Sequence, residues 1–124
     1  AKFVIIDGIV SKKDGLILVE SDDPNKWGSF ISGKGEGRKV KNYDFNELNR
    51  KYKFTVLFAD CEGCLESFFT EYHNALDNIK KIIFEKDQED KCDYTLVINF
   101  IKEKGFSHIE GDFHQVYLHK SILD

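Results

Sequence analysis

Cys61-Glu62-Gly63-Cys64 is the segment of this 124-residue chain whose residue types come closest to chemistry. Two thiols three residues apart can cycle between dithiol and disulfide. A thiol at a helix N-terminus also has its thiolate stabilised by the helix dipole. The pair follows the strand-like stretch Lys53 to Ala59 and opens a stretch with helical periodicity, which is the context a redox pair needs. Other features oppose that reading. The one proline, Pro24, precedes the thiols, whereas redox folds of this type set a later proline against them. The first fifty residues lack the usual opening strand and helix. Asp60, Glu62 and Glu66 are close enough in sequence to raise a thiol pKa and disfavour the thiolate. Cys61 and Cys64 also make half of a zinc site. The other half would need Cys92 with His108, His114 or His119, at no characteristic spacing.

Two further patterns carry partial signals. His108, Glu110, Asp112 and His114 alternate, so on one straight strand they share a face, where they can bind a divalent metal or act as acid and base. Glu110-Gly111-Asp112 reads as a turn, which would break that alignment. Gly28 to Gly35 imitates a phosphate-binding loop, G-x-x-x-x-G-K. Gly35 stands where Ser or Thr must hold magnesium, and more glycine and charge follow where a helix should. No nucleophile–base pair, complete metal motif or dinucleotide fingerprint emerges. The expectation is a non-enzyme with no catalytic residues, no metal and no cofactor; thiol redox activity is the runner-up.

Charge distribution is more informative. Residues 33–53 hold seven basic residues against three acidic ones, while residues 54–79 hold five acids and no Lys or Arg. The basic segment, with Tyr43, Phe45 and Tyr52, has the ingredients of a phosphate and stacking surface. The net charge of −4 argues against nucleic acid as the partner. Glu62, Glu66, Thr70, His73 and Asp77 recur at steps of three and four, which places them in one stripe of a continuous helix. An acidic stripe beside many aromatics suits a basic protein partner.

The elements that must position these residues follow from periodicity. Lys2 to Val10 and Leu16 to Glu20 read as strands of a hairpin turning at Gly15, with a loop at Ser21 to Asn25 and a third short strand at Trp27 to Ser32. Asp44-Phe45-Asn46-Glu47 has the form of a capping box and starts a short helix to Lys51. Lys53 to Ala59 is dense enough in apolar residues for a central strand buried on both faces. Leu65, Phe68, Phe69, Tyr72, Ala75, Leu76, Ile79, Ile82 and Ile83 then form an apolar stripe, predicting one long amphipathic helix over about 61–86. A second helix is expected over about 92–104, closed by Gly105, and then an extended stretch from His108 to Lys120 that turns at Gly111.

The expectation is one α+β domain over 1–124, an antiparallel or mixed sheet packed by those two helices. With 41% apolar and 14% aromatic residues, the chain has the material for a core. Its longest apolar run, Phe3 to Ile6, is far too short for a bilayer span, and the start does not read as a signal peptide. Three cysteines form an odd set and read as free thiols in a reducing cytoplasm. The function expected is a small cytoplasmic protein-binding module. Its sharper form is an inhibitor or immunity-type protein that neutralises a basic partner, such as a toxin nuclease, through the stripe Glu62, Glu66, Thr70, His73 and Asp77. The alternative is a C-x-x-C thiol oxidoreductase or zinc-binding protein using Cys61 and Cys64.

Overall fold

The computed structural model describes residues 3–13, 15–20, 29–32 and 37–123. Its architecture is α+β, with mixed strand pairing as expected. The main sheet has the order β6-β7-β9-β8, where β6 is Val56–Ala59, β7 is Lys81–Glu85, β8 is Phe106–Glu110 and β9 is His114–His119. β6 runs parallel to β7, and β9 runs antiparallel to both β7 and β8. Helices α2 (Leu65–Glu71) and α3 (Tyr94–Glu103) connect these strands.

Register explains which residues reach the core. Leu57, Ile82 and Tyr117 pair in one row, and Ala59, Phe84 and Gln115 in the next, so these side chains share a face. Ile82, Phe84 and Tyr117 are at most 2% exposed and belong to one cluster with Leu65 and Phe69 of α2 and Tyr94, Val97 and Ile101 of α3. Phe84 stacks between Tyr94 and Tyr117 at 5.9 Å from each. The opposite face carries Phe58, Ile83 and Val116 in one row. Val56 and Phe58 there are 52% and 70% exposed. The 53–59 run is therefore not a central strand buried on both faces. β6 pairs with β7 alone among the described strands and stands at the sheet edge.

The long helix over 61–86 is not what forms. α2 ends at Glu71, and Tyr72 adopts φ −127° and ψ 80°. Successive turns follow, in which the amides of Ala75, Asp77 and Ile79 donate to the carbonyls three residues earlier. Each turn returns the next apolar residue inward, so Tyr72, Ala75, Leu76 and Ile79 are all buried without a continuous helix. Lys81 to Glu85 then becomes a strand whose burial alternates with period two. Spacings of three and four fit helix and consecutive turns alike. The β-branched pair Ile82-Ile83 gains two strand neighbours by leaving the helix.

The expected second helix is present as α3. Asp93 caps it, its carboxylate accepting from the amides of Thr95 and Leu96, and Gly105 at φ 92° follows its last turn. Helix α1 (Phe45–Tyr52) also forms, yet Asp44 makes no side-chain cap. The Asp44 carboxylate accepts instead from the Tyr72 hydroxyl at 2.8 Å, and that hydroxyl accepts from the Phe45 amide at 3.1 Å. Burial, first among several causes, pushes the Tyr72 hydroxyl up to about 12.

The N-terminal part departs from the expected hairpin. Residues 3–7 form no strand. β1 (Ile9–Val10) runs parallel to β5 (Asn42–Tyr43), and β2 (Ile17–Glu20) lies between β3 (Ser29–Ser32) and β4 (Arg38–Lys39). Gly15 does take a positive φ, 73°. The Glu71 carboxylate holds this region to α2 by accepting from the Ser11 hydroxyl and the Lys12 amide, each at 2.8 Å. The loop at 21–25 and the residues Gly28, Gly33, Lys34 and Gly35 of the phosphate-loop pattern lie outside the described residues. Among the described residues no helix is long and apolar enough to cross a membrane.

Candidate functional site

Two surfaces gather the candidate residues. The first lies where the parallel strands β6 and β7 end side by side, with Ala59 opposite Phe84. Asp60 and Glu62 follow β6, and Glu85 and Asp87 close and follow β7. Oxygens of these four carboxylates all lie within 4.8 Å of one another. The four share one acid-x-acid pattern after each strand, D-x-E after β6 and E-x-D closing β7. That repetition is the signal in the sequence; strand pairing is what gives it meaning.

Hydrogen bonding, burial and neighbouring charge raise two of these carboxyl groups, Glu85 and Asp87. The Glu85 carboxyl is pushed up first by its hydrogen bond with Asp60, then by burial and the charges of Asp60 and Asp87; His114, 3.1 Å away, opposes this. The Asp87 carboxyl is pushed up first by burial, then by Glu62. Its Oδ1 is enclosed with no hydrogen-bond partner. Chemically the group can share protons, and an oxygen-only set of this kind suits a hard divalent cation. These are the residues among those described that can hold a metal.

The loop between Asp60 and α2 contains the C-x-x-C pair. Cys61 and Cys64 are joined as a disulfide with their Cα atoms 5.4 Å apart. The expectation of free thiols therefore holds for Cys92 alone. Between the bonded cysteines, Glu62 (φ 53°) and Gly63 (φ 87°) are both left-handed. A Cβ on Gly63 would sit 3.2 Å from the Gln88 Cβ and 3.3 Å from the Lys91 Cβ, so this turn packs tightly on the segment after β7. As a disulfide, neither sulfur offers a thiolate to zinc. Cys92 is buried, and burial pushes its thiol up, away from the nucleophilic form.

The second surface is the face shared by α2 and α3. A groove of about 360 Å³ is lined by Glu66, Thr70 and His73 on one side and by Leu96, Asn99 and Glu103 on the other, over Phe69 and Phe100. The two rings stack at 4.7 Å. The structure thus brings together three of the five stripe residues. Glu62 precedes α2 and joins the carboxylate group instead. Asp77 sits in the turns beyond α2 and does not line the groove. Within the groove, Glu66 accepts from the Asp93 amide at 3.1 Å and Thr70 donates to the Glu66 carbonyl at 2.7 Å. Leu96 and Glu103 were missed because their partners in the groove lie on another helix, out of reach of a local pattern.

The alternating histidine set is divided. Gly111, at φ 90°, turns the chain between β8 and β9, and a Cβ there would collide with the His114 carbonyl. His108 Nε2 meets the Gly111 carbonyl at 2.7 Å, while His114 is drawn to Glu85. The four residues do not form a metal or acid–base site.

No protein-family model, no curated protein and no solved structure matches this chain.

Proposed function

We propose that this chain is a small cytoplasmic protein-binding module of inhibitor or immunity type, and that it takes a basic partner, such as a toxin nuclease domain, on the α2–α3 face. The observation that carries this reading is the groove itself. Its floor is aromatic, Leu96 on its rim is 55% exposed, and Glu66 and Glu103 flank it. An apolar side chain with neighbouring Lys or Arg is the complementary ligand, the apolar group supplying affinity and the charges supplying steering. Net charge agrees: residues 59–124 hold fourteen acids against seven bases.

The test is titration of a basic nuclease domain with wild type and with the Glu66→Lys/Glu103→Lys variant, at two salt concentrations. The proposal expects weaker binding and a flatter salt dependence in the variant. Unchanged affinity and salt dependence would remove the groove as the contact surface.

A second reading, thiol–disulfide exchange at Cys61 and Cys64, is favoured by the closed disulfide with both residues partly exposed. The neighbouring carboxylates work against it, because they disfavour the thiolate. A thiolate absorbance titration of the reduced protein decides it. A Cys61 pKa at or above about 8.5, that of a free thiol, ends this reading.

A further inference from the structure

The C-x-x-C turn holds a charged side chain against backbone strain and like charge. Glu62 is left-handed, a conformation a residue with a Cβ rarely adopts. Its carboxylate lies among those of Asp60, Glu85 and Asp87, so like charges repel it. Two side-chain hydrogen bonds offset this in part, one from the Gln88 amide at 3.1 Å and one shared with the Asp87 carboxyl. An open loop would relieve both costs by turning Glu62 into solvent. The covalent closure between Cys61 and Cys64 on either side restrains the backbone of Glu62 and Gly63 against such opening.

We propose that the Cys61–Cys64 disulfide is a redox latch that keeps the Glu62 carboxylate in the group at the ends of β6 and β7, and that reduction releases it. The chemistry is ordinary exchange. A dithiol reductant attacks one sulfur, passes through a mixed disulfide and leaves as its own cyclic disulfide. It loses two electrons and two protons, and Cys61 and Cys64 gain them as two thiols. Oxidised, the strand ends carry four converging carboxylates; reduced, they carry three. β6 and β7 are held by their own pairing and stay in place. The latch thus couples the redox state of the surroundings to charge density at one end of the sheet, independently of any partner on the α2–α3 face.

The test compares amide and carbon NMR spectra of the native oxidised chain before and after dithiothreitol, with Cys61→Ser/Cys64→Ser as a permanently open form. On reduction, the Glu62 and Gly63 carbon shifts are expected to move toward random-coil values. The Gln88 side-chain amide loses its contacts to Glu62, and resonances of 56–59 and 81–85 remain. Glu62 and Gly63 staying left-handed with both thiols free would overturn the latch. Gln88→Ala/Asp87→Ala in the oxidised chain separates the covalent restraint from the hydrogen bonds: Glu62 is expected to stay, and its release with the disulfide intact would equally overturn the proposal. The reductant arm needs no substitution, so a serine variant that fails to fold does not weaken the test.

Discussion

The two candidate surfaces are built by different forces, although one nine-residue stretch, Glu62 to Thr70, contributes to both. At the ends of β6 and β7 the backbone does the positioning. Parallel pairing sets Asp60 beside Glu85, and the closed, left-handed turn sets Glu62. The result is a concentration of like charge that costs stability. On the α2–α3 face packing does the positioning. Phe69 and Phe100 stack, and the polar residues lie around them. The charged end is therefore expected to respond to pH and redox state, and the groove to loss of apolar volume.

The largest effect is expected from Phe69→Ala, which removes a side chain that is 3% exposed and stacked on Phe100. It should lower unfolding free energy by about 3–5 kcal/mol in urea denaturation. A loss under 1 kcal/mol would mean that packing does not build the groove. Next comes Gly63→Ala at the charged end, where the left-handed backbone and the 3.2 Å approach to Gln88 both resist a side chain. A loss of about 1–3 kcal/mol is expected, measured the same way.

The pH response separates the regions further. Glu85 and Asp87 have carboxyl groups raised in the folded state. A raised carboxyl stabilises the fold below its unfolded pKa, and that contribution is lost as pH rises through the folded value. Melting temperature should therefore fall as pH climbs out of the ordinary carboxyl range, an effect that Asp87→Asn reduces. An unchanged slope in that variant would show that Asp87 does not carry the effect. The smallest stability change is expected for Leu96→Ala on the exposed rim, within about 0.5 kcal/mol of wild type. The same variant should nonetheless weaken partner binding.

Local chemistry was legible in the sequence. Gly105 closes α3, the turn at Gly111 divides β8 from β9, and Asp44 precedes a real helix. Non-local pairing was not. Ile79, Ile82 and Ile83 continue a helical spacing, and only strand neighbours far along the chain convert the last two to β7. The same limit hid β6 as an edge strand, since apolar density does not say how many neighbours a strand has. At the N-terminus the turn at Gly15 is visible in the sequence and suggests a hairpin, whereas the parallel partner at Asn42–Tyr43 is not. Of the site, Glu66, Thr70 and His73 were found together because α2 spans them or ends beside them. The carboxylate group needed the pairing of β6 with β7 to be seen.

The most direct test is one binding titration with two variants. A basic nuclease domain is titrated into Leu96→Ala/Glu103→Lys, altered only in the groove, and into Asp60→Asn/Glu85→Gln, altered only at the strand ends. Binding on the α2–α3 face predicts loss in the first variant and wild-type affinity in the second; wild-type affinity in the first with loss in the second would contradict it.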